Sequence, residues 1–108
     1  MLSTKVTRIH GKTFVEVTLL SNIIGVDLGE WFLLAGLDKV SVHVEGIINA
    51  TCQLRGSNVD ISPINDGVQL GNDITVDQII YFKVPLKWIK VKVATYVSGE
   101  ISAYLVGE

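Results

Sequence analysis

Cysteine is almost missing from this sequence: Cys52 is the only one among 108 residues. An intrachain disulfide is excluded, and with it the stapled scaffold of small secreted domains. Histidine is nearly as scarce. His10 and His43 have no second ligand at a metal-like spacing, so no metal and no cofactor are expected. Charged residues make up 19% of the chain, below the usual quarter, and the net charge is −2. A nucleic-acid partner would call for a basic excess, which is absent. The low charge suggests that more of the surface is covered than in a free monomer. The most apolar windows, "TLLSNIIGV" and "WFLLAGL", are far too short to span a bilayer. The basic N-terminal "MLSTKVTRIHGK" is not followed by a signal-like apolar stretch, so synthesis in the cytoplasm and no membrane partner are expected.

Catalytic signatures are missing as well. There is no "GxxxxGK[ST]", no "GxGxxG" and no "G-x-S-x-G", so neither nucleotide binding nor a nucleophile elbow has support. A Ser-His-Asp arrangement assembles in space rather than in sequence and stays open. The expectation is a non-enzymatic protein. Asp60, Asp66, Asp73 and Asp77 lie in a stretch free of Lys and Arg, residues 56–82, but lack the calcium-loop pattern with its terminal glutamate. Asp as a turn former accounts for most of them, with calcium a side hypothesis. "NAT" at 49–51 matches a glycosylation acceptor by chance, given no secretion signal.

What is present is alternation. In residues 39–58, Val40, Val42 and Val44 share one side, then Ile48, Ala50, Cys52 and Leu54 after a break at Gly46 and Ile47. Ser41, His43, Glu45, Asn49, Thr51, Gln53 and Arg55 take the other side. Successive side chains of a strand point to opposite faces, so the stretch reads as a hairpin with one dry and one wet face. Cys52 then reads as a small buried hydrophobe. A first strand is expected around Val15, Val17 and Leu19, a short one at 31–36, another at 74–84 before Pro85, and a further one at 87–97. Ser98-Gly99-Glu100 reads as a turn into a last strand, with Ile101, Ala103 and Leu105 inward. Between them, residues 56–73 have the glycine, asparagine and aspartate content of successive turns, "NDG" at 65–67 being the sharpest. No window carries a helical period. One all-β domain, 1–108, is expected, an antiparallel β-sandwich of jelly-roll type. The basic residues 1–12 form either an ordered strand or an extended N-terminal arm.

Charge is unevenly placed. Lys5, Arg8 and Lys12 stand near the start with no acid among them, together with His10, and Lys83, Lys87, Lys90 and Lys92 form a second basic run. The lysines of 87–92 read either as the guard of an edge strand or as a surface that docks on copies of the chain or on a larger partner. Trp88 and Tyr96 are placed on the same side as Lys90 and Lys92, and Tyr104 on the outer side of the last strand. Exposed aromatics of this kind are enriched in interfaces and also form glycan-stacking platforms.

Gly29-Glu30-Trp31, Val40 to Gly46, Ala50 to Asn58 with its "A-T-x-x-L-x-G-S-N", Pro85 to Val91 and Ser98 to Leu105 occur in an order that resembles small virion proteins of tailed bacteriophages. The resemblance spans residues 18 to 108. It implies a virion structural role, as capsid decoration (cement), head-fibre or tail-associated protein, and brings no catalytic residues. A decoration protein would sit on the capsid surface of the virion and bind the major capsid protein or other virion proteins through repeated contacts. It would assemble as a closed homo-oligomer, a trimer being favoured for a threefold shell position. Under that reading Lys5, Arg8, His10, Lys12, Lys87, Trp88, Lys90, Lys92, Tyr96 and Tyr104 are the capsid or subunit contacts. The alternatives are a glycan-binding or adhesion module, a tail- or neck-associated protein, and a small hydrolase.

Overall fold

A computed structural model describes residues 2–34, 36–83 and 85–108. Ala35 and Val84, each at the end of an expected strand, fall outside the described residues, as does Met1. The described residues contain seven strands and no helix: β1 (Ser3–Ile9), β2 (Lys12–Ile23), β3 (Phe32–Leu33), β4 (Lys39–Ser57), β5 (Val68–Ile74), β6 (Gln78–Lys83) and β7 (Trp88–Gly107). They form one antiparallel sheet in the order β1-β2-β7-β4-β5, with β3 added to β7 and β6 to β4. The all-β expectation holds. The antiparallel strands form a single open sheet with β1 at one end and β5 at the other, and the expected jelly-roll-like sandwich is not shown.

The difference comes from two glycines. Residues 39–58 are not a hairpin, because β4 continues through Gly46. Likewise Ser98-Gly99-Glu100 is not a turn, because β7 continues through it for 20 residues. Gly46 and Gly99 have φ values of 83° and 123°, where a residue with a side chain is strained. They bulge the two strands instead of reversing them, and the β4–β7 register slips at several points from Glu45 to Cys52. The strands also touch here. A Cβ on Gly46 would run into the carbonyl of Glu100, and one on Gly99 into the carbonyl of Gly46.

The bulge splits the sheet into two working halves. On one side of it, β2 and β6 flank the paired Val40–Glu45 and Ser102–Gly107 segments. On the other, β3 and β5 flank the paired Cys52–Ser57 and Trp88–Val93 segments. Val42, Val44, Cys52, Ile89, Val91, Val93, Ile101, Ala103 and Leu105 are all wholly buried on the inner face. A single layer hides a face so completely only by curling over it, and the pinch at Gly46 and Gly99 supplies the bend. Val40, Ala50 and Leu54 of β4 and Val17, Leu19 and Leu20 of β2, with Leu34 and Ile74, complete the core. Ile48 departs from the expected pattern: next to the bulge it is 77% exposed rather than inward.

The first segment is a strand and not an extended arm. Ile9 pairs with Lys12, leaving His10 and Gly11 as a two-residue turn with φ of 50° and 78°. Positive φ at both positions is what the tight primed hairpin turn demands. At its far end β2 is irregular, with Asn22 at φ 49°. There the Asn22 N–H donates to Ser102 Oγ at 3.0 Å, and the Ser102 hydroxyl donates to Asn22 Oδ1. The buried hydroxyl of Ser102 is thereby satisfied.

Two outcomes follow from this core. Gly46→Ala is expected to cost at least about 2 kcal/mol in urea unfolding, since it strains a left-handed position against a facing carbonyl. Cys52, whose thiol burial pushes up to about 11, should resist a maleimide in the native state and react on unfolding.

Candidate functional site

The lysines of β7 do not guard an edge, for this part of β7 lies between β4 on one side and β3 with the Asp27 bridge on the other. Alternation places Lys90 and Lys92 on the polar face, opposite Arg55 and Gln53 of β4. The 58–67 loop then folds over that face. Lys90 is only 3% exposed. Its ammonium donates to Asp66 Oδ1 at 2.7 Å, and Lys92 donates to Asp66 Oδ2 at 2.6 Å. The Lys90 nitrogen also lies 4.9 Å from the Trp31 ring centroid, within cation–π range. A buried ammonium is tolerable only with such partners. Both lysine hydrogen bonds, Lys90 first, hold the Asp66 carboxyl well below its ordinary value, at about 2.

The loop is fastened at further points. Trp31 donates through Nε1 to the Asn65 carbonyl, and Trp88 to the Val59 carbonyl at 3.0 Å. The Lys87 N–H donates to Asn58 Oδ1, and its ammonium to Asp60 Oδ1 at 2.6 Å. That hydrogen bond lowers the Asp60 carboxyl as well. Asn65 Oδ1 accepts from the Gly67 N–H, the Asx turn that "NDG" announced. The lysines of 87–92, read from the sequence as an edge guard or a docking surface, meet the acidic loop within one chain. Trp88 is half-buried under this loop and forms no open platform.

The four aspartates are dispersed. Asp60 and Asp66 serve lysines, Asp73 accepts from Gln53 and Gln69, and Asp77 accepts the Ile47 N–H. Among the described residues no group of three or more His, Cys, Asp or Glu side chains stands ready for a metal ion. Tyr96 is displaced by the bulge. It pairs with Ala50, packs against the core and donates its hydroxyl to the Gly99 carbonyl at 2.6 Å, so it does not share the face of Lys90.

The other half of the sheet has a different outer face, one the sequence analysis did not assemble. Directly opposed residues of a ladder share a face. Ser41 therefore groups with Tyr81 and Val106, and His43 with Ile79 and Tyr104. His43 and Tyr104 are tilted ring neighbours with centroids 6.3 Å apart. Tyr81 is 76% exposed. A shallow groove of about 460 Å³ runs beside it, with Phe14, Val106, Lys39 and Lys83 among its lining. Lys39 stands directly across from Lys83, and neither forms an ion pair among the described residues. The wet face of Ser41, His43 and Glu45 is thus flanked by exposed aromatic and aliphatic side chains. Of the N-terminal candidates, Lys5 comes within 4.0 Å of Glu16, while Arg8, His10 and Lys12 lie exposed along the outermost hairpin.

This arrangement, one open, sharply bulged antiparallel sheet with two unlike outer faces, defines the chain's class as a fold. Within that class the chain is similar to the SPBc2 prophage-derived protein YomS, whose crystal structure matches with a TM-score of 0.67. The match covers 99% of this chain and 94% of that one at 11% identity, so it is a likeness of fold. Protein NMB1881 from Neisseria meningitidis aligns over 97% of this chain and 82% of its own at 16% identity, with a TM-score of 0.43. That value is too low to weigh. No protein-family model and no curated protein matches the sequence.

Asp66 makes this half of the sheet acid-sensitive. A carboxyl held at about 2 against an ordinary 3.8 contributes stability that is present above 3.8 and lost as pH falls through 2. Wild-type stability should therefore drop across that window in a pH series of urea melts. Asp66→Asn should remove that part of the drop and cost about 3 kcal/mol at neutral pH, because Lys90 keeps its charge without its anion.

Proposed function

We propose that this chain is a non-enzymatic structural protein of a bacteriophage virion, acting as a capsid-decoration (cement) protein. The observation that carries this reading is the end-to-end likeness of fold to a prophage-derived protein. The sequence motifs of residues 18 to 108, which resemble small virion proteins of tailed phages, support it independently. The sites are surfaces rather than catalytic groups. The mechanism is attachment by contact, repeated over a symmetric shell so that many modest interactions add up. The chain would be made in the host cytoplasm and carried on the virion. Its partner would be the major capsid protein, with other virion proteins of the neck or tail as the variant form of the same idea.

The β1–β2 hairpin is the basic contact in this proposal. Lys5, Arg8, His10 and Lys12 stand on an outermost, exposed element, where they can meet acidic residues of a shell. A second reading, glycan binding, rests on Tyr81, an exposed ring beside a groove with two lysines.

The test is co-sedimentation of the purified protein with particles of the phage or prophage that encodes it. Binding is expected, and Lys5→Glu with Arg8→Glu should weaken it by about tenfold or more while the fold is kept. Absence of wild-type binding would overturn the decoration role. Undiminished binding by the double variant would remove the hairpin from the contact. A glycan array read in parallel assigns the second reading if Tyr81→Ala abolishes a hit.

A further inference from the structure

We infer that β6 is a self-pairing edge, joining two copies of this chain across a twofold axis into one continuous sheet. The inference does not depend on where the protein acts. Outermost strands normally carry features that discourage pairing: charge, proline, glycine or irregularity. β1 has Lys5 and Arg8, and β5 has Gly71 and Asp73. β6 has none of these over Gln78-Ile79-Ile80-Tyr81-Phe82, five uncharged residues rich in strand formers. It pairs with β4 on one side only. Ile79 and Tyr81 are exposed on its outer face.

Charge selects the occupant. Asp77 stands immediately before the strand and Lys83 is its last residue. An antiparallel pairing centred on Ile80 sets Asp77 of each copy opposite Lys83 of the other, twice by symmetry. The same register sets Ile79 against Tyr81 of the other copy and Ile80 against its own equivalent. Lys83 needs such a partner. It faces Lys39 directly across the ladder, and like charges so placed destabilise the pair. Glu108 lines the same groove, yet Lys83 forms no ion pair among the described residues, and an aspartate from a second copy supplies one. Asp77 can serve both sides, since only Oδ1 accepts the Ile47 N–H.

Light scattering after size exclusion tests this on the whole protein. The expected mass is twice that of the chain. Tyr81→Lys, at an exposed position, and Lys83→Asp, which sets two aspartates against each other, should each weaken association by about tenfold or more with unchanged circular dichroism. The charge swap Asp77→Lys with Lys83→Asp should restore the pair. A monomeric wild type, a trimer, or a dimer indifferent to Tyr81→Lys and Lys83→Asp would each overturn the inference. If the swap fails to fold, the two single variants still decide it.

Discussion

β4 and β7 are hydrogen-bonded to each other along most of their length, and every other strand except β1 attaches directly to one of them. Strands of 19 and 20 residues would make a long ribbon with one apolar face open to water if they stayed straight. The close approach of Gly46 and Gly99 prevents that. Two positive-φ glycines facing one another let the backbones touch, and the touching point is where the ribbon bends. The apolar residues on either side are then brought under cover. Size and chirality at two positions govern the hydrophobic burial of the whole domain.

Bending leaves two outer faces, and the chain treats them differently. One is covered by its own 58–67 loop, which brings the carboxylate of Asp66 to Lys90 and Lys92 and ties down Trp31 and Trp88. On this face Lys87, Lys90 and Lys92 each meet an aspartate of the loop, and Arg55 donates to Gln53. The other face has no such loop. Its aromatic rings stay in water, and Lys39 and Lys83 stand opposed with no ion pair to either among the described residues. The lysines of one half are paired within the chain and those of β6 and its neighbour are not, which is why intermolecular contact is argued from β6 and not from β7.

Alternation made much of this legible. The inward sets Val40, Val42 and Val44, then Ala50, Cys52 and Leu54, then Ile89, Val91 and Val93, and Ile101, Ala103 and Leu105, are readable because a strand's period is two. The continuity of the strands was not readable. Glycine with positive φ serves both a turn and a bulge, and only the partner strand decides which, so one curled sheet looked like two. Lys90 was misplaced for a related reason. Its position in the alternation is polar, but what covers it is Asp66, 24 residues earlier, beyond any local pattern. Tyr96 sits where the register slips, and parity counted from Trp88 fails across the slip. The Tyr81 face needed the β4–β6 register, which brings together residues separated by some forty positions.

β7 is the last strand in chain order and yet the inner member to which β2, β3 and β4 all attach. Val15 finds its neighbour at Gly107, and Val40 shares that same neighbour from the other side. On a ribosome, the first six strands therefore emerge without the one that joins them. The β1–β2 hairpin and the β4–β6 pair can form early, but they remain separate pieces with bare edges until residues 88–107 arrive. Pairings this distant in sequence close slowly. Assembly of this sheet waits for residues 88–107, and a nascent chain stalled before Trp88 exposes apolar strands that the folded sheet hides.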